Sequence, residues 1–137
     1  MSDRPDLVAE AHRWLGQARE ELRAAGVMAE DLEIPMRMPA FWAHLASEKA
    51  LKGLATARGI ALRKTHKLIQ ILGALSEEDS AAFHMEDLRL LDPWQAAGRY
   101  PGNLPDQDPS TIKALLAAAE RVLHTAERLV NGGSGPA

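Results

Sequence analysis

Cysteine is absent from this sequence, which excludes disulfides, thiolate metal sites and cysteine nucleophiles and leaves the compartment open. Aromatic residues are scarce, at 4%, and Tyr100 is the only tyrosine. The apolar share is 46% all the same, and it is mostly alanine and leucine, which favour helix over strand. No apolar run approaches a membrane span. The opening "MSDRPDLVAEAHRW" has acids among its first ten residues, unlike a secretory signal, so a soluble cytoplasmic protein is expected. Net excess of positive charge is missing as well. At a formal −3 the chain is no globally basic nucleic-acid binder.

One local absence runs the other way. Between Lys49 and Ser76 there is no Asp or Glu, while Lys49, Lys52, Arg58, Arg63, Lys64 and Lys67 are all basic. The stretch therefore reads either as a docking face for phosphate or an acidic partner, or as a solvated helix and loop.

A length of 137 residues suits one domain with one core, expected over residues 1–130, with "NGGSGPA" from 131 to 137 as a disordered tail. Val8, Ala11, Leu15, Ala18, Leu22 and Ala25 recur at steps of three and four, which predicts an amphipathic helix ending near Gly26. A second helix is predicted from about Pro39 to Arg58, with Gly59 as its stop. Apolar residues surround most of it, so it belongs at the centre of a bundle or at a subunit interface. Thr65 is placed to cap a short helix bearing Leu68, Ile69, Leu72 and Leu75. Ser76 and Asp79 nearly form a capping box opening a helix with Ala82, Met85 and Leu88 on one side, which Pro93 ends or bends. "GRYPGNLPDQDP" reads as a turn-rich loop, and Ser110 as the cap of a last helix carrying Ile112, Leu115, Leu116, Ala119, Val122, Leu123, Ala126 and Leu129. The expected fold is all-α, an antiparallel up-and-down bundle of four longer helices plus a short one.

The chemistry-bearing motifs are few. His12, His44, His66, His84 and His124 are scattered, and His44 with Glu48, one turn apart, offers two ligands where a metal needs more. No metal or other cofactor is expected. The phosphate loop Gly-x-x-x-x-Gly-Lys-Ser/Thr and the Gly-x-Ser-x-Gly elbow are both missing. Glu48 and Lys52 are correctly ordered for an i,i+4 ion pair, and Glu48 is expected to be partly buried. Arg99 offers a planar fork suited to phosphate, beside Tyr100, which can stack on a base.

In this order, "WLGQAREELRAA", "FWAHLASEKALKGL", "KTHKLIQIL", "RYP" and a closing apolar helix resemble a HEPN domain, the helical domain named for higher eukaryotes and prokaryotes nucleotide-binding. The resemblance runs from about Asp6 to Val130. It implies a bundle that commonly pairs into a homodimer, with a groove near the second and last helices. Family members include metal-independent ribonucleases, and many work beside a minimal nucleotidyltransferase, often as toxin and antitoxin. By this resemblance Glu48, Lys49 and Lys52 match the family's Glu-Lys-x-x-Lys core, and Arg99 with Tyr100 its Arg-Tyr-Pro element.

Two departures matter. Ribonuclease members carry Arg, four to six residues, then His, whereas Leu104, Pro105 and Asp106 stand at those distances from Arg99. Arg37 and His44 match the spacing by coincidence, at the wrong end of the second helix. Where many relatives have paired glutamines, this chain has His44 and Leu45. The resemblance therefore implies a non-nuclease module binding a nucleotide, RNA or a partner nucleotidyltransferase through Arg99, Tyr100, Lys49, Lys52 and Glu48, with no catalytic residue assigned. The alternative is a ribonuclease with an irregular site, such as Arg99 with a histidine brought from elsewhere in the bundle.

Overall fold

The computed structural model describes residues 5–96 and 108–132. These form six α-helices: α1 (Pro5–Ala29), α2 (Arg37–Ala57), α3 (Leu68–Ala74), α4 (Glu77–Ala81), α5 (Met85–Leu91) and α6 (Pro109–Asn131). A 3-10 turn, Asp92–Gln95, follows α5. No strand occurs among the described residues. The all-helical expectation holds, but only α1, α2 and α6 are long, because the expected fourth long helix is divided among shorter ones.

Ala11, Leu15, Ala18 and Ala25 of α1 are buried along one face, as their spacing requires, although Val8 is 38% exposed. The helix continues past Gly26 to Ala29, and the chain turns back through an Asx turn in which Asp31 accepts the Glu33 amide at 2.9 Å. α2 returns antiparallel to α1. Lys49 meets Glu21 while Gly53, one turn later, faces Ala11, Trp14 and Leu15 farther back along α1. A Cβ on Gly53 would stand 3.0 Å from Trp14 Cβ and 3.3 Å from the Ala11 carbonyl oxygen. Glycine is what lets the two helices approach this closely.

α2 is the central helix, with Ala40, Ala43, Ala46, Ala50, Leu51, Leu54 and Ala55 all buried. It ends in a Schellman arrangement: the Ile60 amide donates to Ala55 at 2.9 Å, the Gly59 amide to Thr56 at 3.0 Å, and Gly59 has φ +70°. Arg58 lies at this end and donates to the Leu129 carbonyl at 3.4 Å, which ties the ends of α2 and α6 together.

Three local expectations are corrected. The cap of α3 is supplied by Asp92, whose carboxylate accepts the Leu68 and Ile69 amides at 2.8 and 3.3 Å; Thr65 instead accepts the Lys67 amide. Ser76 does cap α4, accepting the Asp79 amide at 3.1 Å, but the helix stops at Ala81 and Phe83 turns into the core before α5 begins. α6 is capped by Asp108, which accepts the Ser110 amide at 2.9 Å. Pro109 takes the first helical position, where its missing N–H costs nothing and its φ is already helical.

Candidate phosphate-binding and histidine–carboxylate site

Glu48 sits in the middle of α2, only 4% exposed. A carboxylate so placed needs donors, since burial without them is costly. Its Oε2 accepts from Lys52 Nζ at 2.8 Å, one turn on, and from His66 Nδ1 at 3.0 Å, brought back by the α2–α3 connection. Burial by itself raises the carboxyl pKa, but the hydrogen bonds and positive charge of Lys52 and His66 outweigh it and hold Glu48 below its ordinary value. The expected partial burial and the Glu48–Lys52 pair are both present.

A second histidine lies one turn before Glu48. His44 is fully buried, with Nε2 3.2 Å from Asp92 Oδ1 and Nδ1 3.9 Å from Glu48 Oε1. Neither His44 Nδ1 nor Glu48 Oε1 has a hydrogen-bond partner among the described residues. Asp92 is half-buried, which raises its pKa, and the bonds from His44 and from the Leu68 and Ile69 amides overcome this and lower it. Asp92, His44, Glu48 and His66 thus form a row of alternating carboxylates and imidazoles from the 3-10 turn to the surface. It ends at His66, whose side chain is 45% exposed.

His44, His66 and Asp92 were not among the expected site residues. The i,i+4 spacing of His44 and Glu48 was the one available signal; Asp92 is 48 residues from His44 and no local pattern joins them. Among the described residues no group of three or more His, Cys, Asp or Glu side chains is arranged to hold a metal.

The acid-free stretch is not uniformly free positive charge. Lys49 is paired with Glu21, Lys52 with Glu48, and Arg58 with Asp79 through a fork at 2.7 and 3.2 Å. All three acids lie on helices. Arg63, Lys64 and Lys67 on the α2–α3 connection are exposed and appear in no ion pair with a described residue. Lys49 and Lys52 therefore differ in setting from these three, each being held by a buried carboxylate. Arg99 and Tyr100 lie outside the described residues, as does the segment from 133 to the end.

An open groove of about 550 Å³ lies elsewhere, on the outer face of α6, lined in part by Lys113, Leu116, Glu120, Arg121 and His124. Its charges are largely cancelled, Arg121 forking onto Asp87 at 3.0 and 2.8 Å. No described helix is long and apolar enough to cross a membrane.

No curated protein and no solved structure matches the chain significantly. The family model for the HEPN domain matches residues 11–129, a span that takes in α2, the row of imidazoles and carboxylates and most of α1 and α6. With this match over most of its length, the chain belongs to the HEPN domain family.

Proposed function

We propose that this protein binds nucleotide or RNA phosphates through the α2–α3 connection, with Arg63, Lys64 and Lys67 as the first cations to meet them. Membership of the HEPN family supports a nucleotide- or RNA-related role. The observation that carries the choice of surface is the division of the basic stretch into residues neutralised by Glu21, Glu48 and Asp79 and residues exposed without such partners. Unpaired cations on one connection focus positive potential, whereas paired ones would first have to give up a buried carboxylate. Glu48, Lys49 and Lys52 then hold the wall behind this surface, while Arg99 supplies a further phosphate contact and Tyr100 a stacking face for a base.

The test is anisotropy of a labelled single-stranded RNA at two salt concentrations. Wild type should bind more weakly at high salt, since each neutralised phosphate on a single strand contributes about −0.7 to the log–log slope. Replacing Arg63, Lys64 and Lys67 together by alanine should flatten that slope by about 2. Failure of wild type to bind at low salt, or equal binding by the triple variant, defeats this reading.

The same reading makes the protein a homodimer and a companion of a minimal nucleotidyltransferase in a two-component, toxin–antitoxin-like pair. Half-burial of Phe41, Trp42 and Leu45 on α2 supports the first, because a two-fold contact would cover their remaining apolar surface. Family resemblance supports the second. Sedimentation of dilute protein tests the dimer, a monomer counting against it, and co-purification with a nucleotidyltransferase encoded beside it tests the pair.

A further inference from the structure

We propose that the turn between α1 and α2 is a docking surface for a segment of another protein that carries lysine or arginine beside apolar side chains. The three most exposed large apolar residues among those described all stand at this turn. Leu32 is 98% exposed, Val27 63% and Met38 41%. One exposed leucine is ordinary; three such side chains gathered where two long helices join mark a surface that a partner covers.

Local structure keeps these side chains outside. The Glu30 and Asp31 amides donate back to the carbonyls of Val27 and Met28, each at 3.1 Å, and the Ile34 amide donates to the Asp31 carbonyl at 3.0 Å. The Asp31 carboxylate takes the Glu33 amide. Ala29 and Met36, on either side, pack against the core. Leu32 is therefore held out on a frame that is hydrogen-bonded within and anchored at both ends, so little order has to be gained when a partner covers it.

The charges around the turn decide the kind of partner. Glu30, Asp31 and Glu33 are exposed, and no ion pair joins them to a described residue. Arg37 is the only basic residue from Val27 to Met38. The turn is thus net acidic, opposite in sign to the α2–α3 connection. RNA phosphates and anionic lipid head groups are repelled from such a surface, whereas a cationic segment is drawn to it. Apolar side chains of that segment cover Leu32 and Val27, and its lysines or arginines face the acids. This surface is separate from the RNA-binding one, and its test does not depend on RNA binding.

The experiment titrates the full chain into three labelled synthetic peptides of equal length and follows anisotropy. One alternates lysine and leucine, one has glutamate in place of lysine, and one has serine in place of leucine. The lysine–leucine peptide should bind, and each of the others at least about 10-fold more weakly. Leu32→Ser should weaken binding of the first by about 10- to 100-fold, as for loss of one buried leucine, and should leave the melting temperature unchanged, since that side chain is exposed in the free protein. Glu30→Gln with Glu33→Gln should also weaken binding and reduce its dependence on salt. Absence of binding by the lysine–leucine peptide, equal binding by all three peptides, or wild-type affinity in either variant overturns the proposal. So does a change in sedimentation of the chain alone on Leu32→Ser, which would assign the turn to a second copy of this chain.

Discussion

Replacing Glu48 by alanine removes a carboxylate that is 4% exposed and accepts from Lys52 at 2.8 Å and His66 at 3.0 Å. Hydrogen bonds to charged groups are worth about 1.5–3 kcal/mol each. Both donors reach solvent, Lys52 being 17% and His66 45% exposed, so each recovers part of that loss by hydration. Deletion also relieves the unpartnered Oε1, an offset of the same order as one bond. The net cost is about 2–3 kcal/mol, or roughly 6–15 °C in Tm for a domain of this size. Glu20 on α1 is exposed and makes no ion pair with a described residue, so Glu20→Ala should change stability by less than about 0.5 kcal/mol. Thermal and urea unfolding followed by helical circular dichroism compares the two. Equal, negligible effects would refute the claim that Glu48 is a buried, partnered charge.

Acid should weaken the fold through Glu48 and Asp92. Both folded-state pKa values are lowered from ordinary values of 4.5 and 3.8, so their stabilisation is full above those values and is lost as pH falls through the lower folded ones; Glu48→Gln with Asp92→Asn should flatten that acid limb of the stability curve. Gly53→Ala should destabilise by about 1–3 kcal/mol, because its Cβ meets Trp14 and the Ala11 carbonyl. Gly26→Ala, with nothing within 4 Å, should instead stabilise by about 0.5–1 kcal/mol, and opposite shifts in denaturation midpoint check the pair. Arg58 and Arg121 make similar forks onto carboxylates, but their side chains are 17% and 53% exposed. Both carboxylates are buried to the same degree, the Asp79 and Asp87 side chains each being 9% exposed. Either arginine-to-alanine change therefore strands a buried charge and should cost about 3–5 kcal/mol, with Arg121→Ala at the lower end because its exposed fork leaves a path for water, as read by urea midpoints.

What the sequence by itself determined is whatever one or two helical turns decide. Ala- and Leu-rich stripes set α1, α2 and α6 because apolar residues three and four apart must share a face. Gly59 ends α2 because only glycine takes φ +70° without strain, and Ser76 caps α4 because its hydroxyl reaches an amide three residues on. Glu48 and Lys52 met for the same reason, being one turn apart. Tertiary structure decided the rest, because charge and capping act through space and take no account of separation along the chain. An acid-free stretch of six cations, in which only Lys52 was expected to be paired, became three pairs and three exposed residues once Glu21 and Asp79 were packed against it from other helices. Thr65 lost the cap of α3 to Asp92, which is far off in sequence but adjacent in the bundle. His66 meets Glu48 only because the α2–α3 connection folds back along α2 and lays its ring on that carboxylate.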